Sequence, residues 1–256
     1  MLEFFQDPKV AEQVQYLLHN VPYAIWETIY STVLATFFAY IIGLPLGIIL
    51  VTGEKGGIRP LPSPLMKLLN ILINILRSVP FLILMVVVFP LARVIVGTSI
   101  GTKASIVPLT IAAFPFVARL VEGSLREMDG GVIEAAQAMG CSTFQVIWKV
   151  ILPESLPSLL TSFTTAFVTI LGYGAMAGAI GAGGLGSMAL NRGYTRHMMV
   201  VLYVSVIFLV ILVQVFQSLG GHFAAALDRR NRSPKSLTRA ARAHADKNRR
   251  SGDPTL

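Results

Sequence analysis

Long apolar stretches alternate along the chain with short segments that carry most of its charges. A transmembrane helix requires about 20 mostly apolar residues. By that criterion the pattern predicts five spans, at residues 28–52, 68–89, 105–118, within 155–191, and at 198–220. The expected fold class is therefore an all-α membrane protein with five transmembrane helices.

Composition excludes a soluble globule. Of the 256 residues, 54% are hydrophobic and only 13% are charged, whereas a soluble domain has about 25% charged residues. The expected localisation is the cell inner membrane, which the chain would cross several times. The single cysteine, Cys141, allows neither an internal disulfide nor a paired-cysteine metal site. No metal and no cofactor are predicted.

Basic residues predict the orientation of the spans. Three segments that lie two spans apart carry an excess of Lys and Arg: the loop after the first span, the segment after the third, and the residues beyond 227. Because such segments stay in the cytoplasm, the C-terminus is predicted inside and the acidic N-terminus outside. A smaller basic set falls on the outer side, namely Arg93, Lys103, Arg192 and Arg196.

This orientation divides the chain into regions. Residues 1–22 are predicted to form a periplasmic segment, and residues 23–227 a transmembrane domain. Residues 228–256 are predicted to form a disordered basic tail in the cytoplasm, close to anionic lipid headgroups. Residues 130–153, between the third and fourth spans, are also expected on the cytoplasmic side.

The stretch IEAAQAMGCSTFQVIWKVILP, residues 133–153, predicts two short helices joined at Gly140. Glycine suits a left-handed helix C-terminus, and Ser142 followed by Gln145 is typical of a capping box. The pair is too short for a span and too apolar for a solvated loop. One apolar face is predicted from residues at helical spacing, namely Phe144, Ile147, Trp148 and Ile151.

Three interpretations of this helix pair are possible: a DNA-binding helix-turn-helix, a docking element for a cytoplasmic protein, and a re-entrant turn that only packs against the spans. A helix that reads DNA needs polar and basic side chains. The second helix offers only Gln145 and Lys149 among large apolar residues. Docking of a helix into a groove uses apolar anchors of this kind, so the pattern favours docking, and no nucleic-acid partner is predicted.

The same segment resembles a family signature. EAAQAMG, nine further residues and VILP are similar to the signature of the membrane subunits of bacterial ATP-binding-cassette importers, with Val150 in place of the usual Ile. In that family the segment is a coupling helix seated in a cleft of the ATPase subunit. The resemblance implies that the contact with an ATPase is made by Glu134, Ala135, Ala136, Gly140, Leu152 and Pro153.

The sequence does not contain that ATPase. No stretch fits the Walker A pattern G-x-x-x-x-G-K-[ST], so ATP hydrolysis is expected from a separate polypeptide and the chain is not expected to be an enzyme. GAGGLG, residues 181–186, fits G-x-G-x-x-G, but it follows a span and no acidic residue occurs from 155 to 227, which argues against a dinucleotide site. Five spans without an internal repeat argue against a secondary transporter built from inverted repeats and favour a pathway shared with a second copy.

Further blocks make residues 20–225 similar to the permease subunits of methionine importers: RSVPF, RVIVGTSIG, IVPLT and LGYGAMAGAIGAGGLG. The resemblance implies a homodimeric permease within membrane lipid, two copies of a cytoplasmic ABC ATPase and an external substrate-binding lipoprotein that delivers methionine. The alternatives are a permease for another amino acid or small polar solute, and a stand-alone secondary transporter.

Three residues within the spans are candidates for the pathway. Tyr173 and Met176 lie three positions apart on one helix face, and a ring and a thioether suit contact with another thioether. By resemblance this face lines the pathway or its gate, with ordinary helix packing as the alternative. Arg77 is a charge within a span, which marks a functional hypothesis. It could offset a substrate carboxylate, snorkel toward the cytoplasm or cap a helix broken before Pro80.

Overall fold

The structure is a computed structural model that describes residues 8–227, and every regular element in that range is helical. The predicted basic tail, 228–256, and residues 1–7 of the predicted periplasmic segment lie outside the described residues. Short π-helical or 3-10 segments extend three of the helices, at Ile147–Ile151, Gly178–Ile180 and Met188–Tyr194. The α-helices in chain order are α1 (Pro8–Thr52), α2 (Ser63–Ser78), α3 (Phe81–Val96), α4 (Thr102–Arg126), α5 (Gly130–Ala138), α6 (Thr143–Val146), α7 (Leu152–Glu154), α8 (Leu156–Ala177), α9 (Gly184–Ser187) and α10 (Met199–Leu227).

Four helices of the described range are long and apolar enough to cross a membrane: α1, α4, α8 with its 3-10 extension, and α10. The bent pair of α2 and α3 adds a fifth span if the pair is counted as one. The prediction of an all-helical membrane protein is confirmed, with four or five spans by length and composition.

The second predicted span, residues 68–89, is not one continuous helix but falls on the bent pair of α2 and α3. α2 ends at Ser78, α3 begins at Phe81, and the two helices are bent by 107°. Pro80 explains the break, because a proline ring disfavours the helical conformation of the residue before it. Val79 is accordingly extended, with φ −77° and ψ 126°.

The first span belongs to a longer helix than the predicted 28–52. α1 continues unbroken for 45 residues, which corresponds to about 67 Å, roughly twice the thickness of the hydrocarbon layer. The predicted boundary between residues 22 and 23 therefore falls inside α1. The N-terminal part of α1 packs on α10, where the Gln13 side chain accepts a hydrogen bond from the Val200 N–H at 3.0 Å.

α1 and α4 approach each other closely at two glycines. A Cβ added to Gly43 would lie 2.7 Å from Val117 Cγ1, and one added to Gly47 would lie 2.6 Å from Val121 Cγ1. Small residues four positions apart allow such close packing between membrane helices. The buried Ala35 and Ala39 continue the same row along α1 and belong to the main core cluster.

Loops that follow alternate spans gather at one end of the bundle. Arg126, at the end of α4, forms an ion pair with Glu54, just after α1, at 2.8 Å. Ser158, at the start of α8, donates a hydrogen bond to Glu127 at 2.7 Å. We call this the helix-pair end, because α5 to α7 begin and end here. The starts of α4 and α9 lie at the opposite end.

Candidate functional site

The segment 130–153 forms the two predicted helices, and hydrogen bonds within the segment close the turn between them. Gly140 is left-handed, with φ +79°. The N–H groups of Gly140 and Cys141 donate to the carbonyl groups of Gln137 at 2.9 Å and Ala136 at 3.2 Å. This is the Schellman arrangement, and it confirms the predicted position of the glycine at the end of the first helix.

Both helices of the pair also have N-terminal caps. Asp129 accepts a hydrogen bond from the Gly131 N–H at 2.9 Å. Ser142 and Gln145 form the predicted capping box, since the Ser142 N–H donates to Gln145 Oε1 at 2.8 Å and the Gln145 N–H donates to Ser142 Oγ at 3.4 Å. The shape of the pair is therefore fixed by its own hydrogen bonds.

The prediction of a single apolar face on the second helix is wrong. Val146 and Ile151 are fully buried in the main core cluster, whereas Phe144 is 68% and Trp148 is 58% exposed. The π-helical turn Ile147–Ile151 changes the angular spacing of the side chains, so they point in two directions. We call Phe144 and Trp148 the aromatic patch; their ring centroids are 6.0 Å apart.

The signature residues differ in their accessibility. Ala136 is 2% exposed and belongs to the main core cluster, so it anchors α5 to the bundle and does not face outward. Leu152 is half-buried against the same cluster. The remaining four are exposed, namely Glu134, Ala135, Gly140 and Pro153.

A buried charge lies at the helix-pair end. The charge is that of Glu122, which is only 9% exposed. Its two carboxylate oxygens accept from Arg119 at 2.6 Å and from Arg126 at 2.9 Å. Two arginines satisfy the carboxylate, which explains how a charge is accommodated there. Glu127, in contrast, is exposed.

The two arginines extend this network to neighbouring helices. Arg119 donates to Asn70 Oδ1 at 2.8 Å and to Asn74 Oδ1 at 3.0 Å, both on α2, while Arg126 pairs with Glu54. Sequence reasoning missed this connection between α1, α2 and α4. The available signal was the pair of asparagines four residues apart in an otherwise apolar helix.

The pathway candidates are placed differently from one another. The Tyr173 ring stacks on Phe81, with centroids 4.4 Å apart and an interplanar angle of 7°, so it joins α8 to the start of α3 directly after the Pro80 break. Met176 is 51% exposed. Arg77 is exposed in the last turn of α2, and among the described residues it has no ion pair.

The glycine-rich stretch 181–186 is held in place by a carboxylate. Glu27 on α1 accepts a hydrogen bond from the Gly184 N–H at 2.8 Å and another from the Thr102 hydroxyl at 2.6 Å. A carboxylate is stabilised at a helix N-terminus, so the glycines allow α9 to begin against α1. Glu27 had no predicted role, because it lies just outside the apolar stretch 28–52.

Comparison with known proteins gives close relatives. A probable D-methionine transport system permease protein, MetI, of Vibrio cholerae is 47% identical over 207 residues, which cover 81% of this chain and 92% of the relative. The protein of the same description in Pasteurella multocida is 44% identical over 204 residues, covering 80% and 94%.

A solved structure is similar over the same region. An inward-facing crystal form of the MetNI methionine ABC transporter has a TM-score of 0.81 and 43% identity, and the alignment covers 83% of this chain and 98% of that chain. Residues 43–233 also match a family of membrane proteins. This chain belongs to that family, the binding-protein-dependent transport system inner membrane components.

Proposed function

We propose that the protein is the permease subunit of an ATP-driven importer and that it forms the pathway for methionine. The relatives named as D-methionine permeases, 47% and 44% identical to this chain, support the substrate. The proposed assembly contains two copies of this chain, two copies of a separate ABC ATPase and an external substrate-binding lipoprotein. The permease needs no catalytic residue, because it only moves the solute.

The helix pair is the observation that carries the proposal of an ATPase partner. Val146 and Ile151 are buried in the main core cluster, while Phe144 and Trp148 face outward. An element that is fixed to the bundle on one side and apolar on the other suits a groove in a partner. We expect that ATP binding closes the two ATPases, that the helix pairs move with them, and that the spans then tilt between outward and inward access.

The helix-pair end is proposed to face the cytoplasm. Lys55, Arg59 and Lys67 follow α1 at this end, and the positive-inside rule places such loops on the cytoplasmic side. ATP is available on that side. The exposed Glu134, with Ala135, is proposed to form the rim of the contact with the ATPase.

The test is uptake of labelled methionine by vesicles that contain this chain, its ATPase and the lipoprotein. We expect uptake that requires ATP and that unlabelled methionine competes. ATP-dependent uptake of another amino acid or small polar solute, without methionine uptake, would replace the proposed substrate. Uptake driven by a proton or sodium gradient in vesicles without the ATPase would show a secondary transporter instead.

The aromatic patch gives a test of the ATPase contact. An aromatic anchor at an interface often contributes about 2 kcal/mol, so Trp148→Ala is expected to raise the dissociation constant of the ATPase roughly 30-fold. The side chain is exposed, and its removal is not expected to unfold the chain. Binding would be measured by titration of the detergent-solubilised permease with purified ATPase.

The matched control is Tyr194→Ala. Tyr194 is 67% exposed and lies beyond α9, at the opposite end from the helix pair. We expect this variant to bind the ATPase like the unmodified chain. Equal affinities for the Trp148→Ala and Tyr194→Ala variants would remove the aromatic patch from the contact.

A further inference from the structure

One face of α8 carries a row of hydroxyl groups that the proposed function does not yet use. From Met176 back toward the helix-pair end, the same face holds Gly172, Thr169, Thr165 and Thr161, because residues three or four positions apart are neighbours on a helix. We call the three threonines the threonine row. It runs from a candidate pathway residue to the end that holds the helix pair.

This face is open along its length. Met176 is 51% exposed, and a Cβ added to Gly172 would meet no atom within 4 Å. Thr161 and Thr165 are exposed and Thr169 is half-buried. The threonine row lines a groove of about 320 Å³ between α8 and α10, a volume within the usual range for small-molecule sites.

The threonine hydroxyls are restricted to accepting hydrogen bonds. Each donates its proton to the carbonyl oxygen four residues earlier, at 3.2 Å for Thr161, 3.0 Å for Thr165 and 2.8 Å for Thr169. The lone pairs of the hydroxyl oxygens remain available. The row therefore presents acceptors without donors, which matches an ammonium group and not a carboxylate.

A neighbouring groove carries acidic side chains, which also favour an ammonium group over a carboxylate. A second groove of about 470 Å³ shares Thr161 and Gly221 with the first and is also lined by Glu127 and Glu154. Among the described lining residues of both grooves there is no Lys or Arg. Two carboxylate side chains thus line the end of this open space nearest the helix pair.

Exposed hydroxyl groups also indicate what covers this face. In membrane helices, threonine and glutamine side chains are enriched on faces that meet other protein groups rather than lipid. Gln217 of α10, on the other side of the first groove, adds an amide that can donate to a carboxylate. Acceptors on one wall and an amide on the other match the two charged groups of an amino acid.

From these observations we propose that the threonine row lines a water-filled half of the translocation pathway, the half between Met176 and the helix-pair end. In this proposal the row is the contact surface for the ammonium group of the transported amino acid. It leads the solute toward Glu127. This proposal rests on the proposed function. It adds to that function the side chains that the solute meets between Met176 and the helix-pair end.

Valine and serine separate the hydroxyl group from the shape of the side chain. In the complete reconstituted transporter, the double variant Thr165→Val, Thr169→Val is expected to take up methionine about tenfold more slowly, because two acceptors for a charged donor are lost. Thr165→Ser, Thr169→Ser keeps both oxygens and is expected to restore uptake. Equal uptake by the valine and serine variants would overturn the proposal.

Access of water is the second measurement. With Cys141 replaced by Ala, a cationic, membrane-impermeant thiol reagent is expected to modify Thr165→Cys and to block uptake. Leu219→Cys is the control, since Leu219 is 50% exposed and lies two positions from Gln217, on a different face of α10 from the groove; it is expected to resist the reagent. If Thr165→Cys instead resists the reagent and forms a disulfide with a second copy, the row is a dimer interface and the proposal fails.

The two proposals can fail separately. If the unmodified transporter imports another amino acid, the methionine assignment fails, while the valine and serine variants still test the row with that amino acid. If the transporter without substitutions imports methionine and the thiol reagent does not react with Thr165→Cys, only the threonine row is excluded from the pathway.

Discussion

Glu122 shows how one side chain can connect several helices. Its carboxylate accepts from Arg119 and Arg126, and through these arginines it is linked to Asn70, Asn74 and Glu54. Within the described part of the chain it is the one charged residue that is buried. If its charge were removed, two arginines would face each other without an anion between them.

We therefore expect Glu122→Gln to destabilise the folded protein. A hydrogen bond to a charged group contributes about 1.5–3 kcal/mol, so a loss of this order in the free energy of unfolding is expected. The measurement is the melting temperature of the detergent-solubilised protein, which should fall in the variant.

Glu134→Gln is the matched control for this prediction. Glu134 is exposed on α5, and no ion pair involves it among the described residues. The same chemical change at this position is expected to leave the melting temperature unchanged. Equal melting temperatures for the two variants would show that the network around Glu122 adds no stability.

Single residues differ in how far the sequence predicts them. Gly140 and the Ser142–Gln145 capping box were predictable, because their hydrogen bonds join positions a few residues apart. The burial of Glu122 and Ala136 was not, because it depends on which distant helices pack against α4 and α5. Glu27 was missed for the same reason, since its hydrogen-bond partner Gly184 lies 157 positions away.

At the scale of elements, the contact between α1 and α4 depends on the absence of side chains at two positions. A Cβ on Gly47 would lie 2.6 Å from Val121 Cγ1 and 2.8 Å from the carbonyl oxygen of Ala118. We expect Gly47→Ala to push the two helices apart and to lower the melting temperature, even though alanine favours a helix.

Gly123→Ala provides the comparison on the partner helix. A Cβ on Gly123 would meet no atom within 4 Å, so only the helix propensity changes, by about 1 kcal/mol in favour of alanine. This variant is expected to melt at the same or a higher temperature. A fall as large as that of Gly47→Ala would mean that the close approach of α1 to α4 does not limit stability.

The hydrophobic pattern predicted the existence of the elements better than their shape. The apolar runs of α4, α8 and α10 were found because lipid imposes long apolar helices. The break at Pro80 lies inside one such run, where hydropathy does not change, and only the conformational restriction of Val79 marks it. The π-helical turn Ile147–Ile151 has no sequence signal that we identify.

At the scale of the whole molecule, the proposed orientation has a direct test. With Cys141 replaced by Ala, single cysteines are placed at Lys55, in the loop after α1, and at Thr98, between α3 and α4; both positions are exposed. Because the helix-pair end is proposed to be cytoplasmic, an impermeant thiol reagent added to spheroplasts is expected to label only Thr98→Cys.

Labelling of Lys55→Cys is expected after the membrane is permeabilised, which controls for the reactivity of that site. Labelling of Lys55→Cys alone in intact spheroplasts would invert the orientation. Since the Glu54–Arg126 ion pair fixes these loops at one end, an inverted result would also place the helix pair outside, where no ATP is available.

The closed hydrogen bonding of the helix pair has a consequence for the entropy of assembly. A segment that folds only on binding loses about 1–2 kcal/mol of backbone entropy per residue, and this loss weakens the complex. Here the Schellman turn and the capping box order the segment before any partner arrives. The free energy of association at the aromatic patch is therefore not offset by the entropy loss of ordering the segment. An ATPase could dissociate and rebind in every cycle to a surface that keeps its shape.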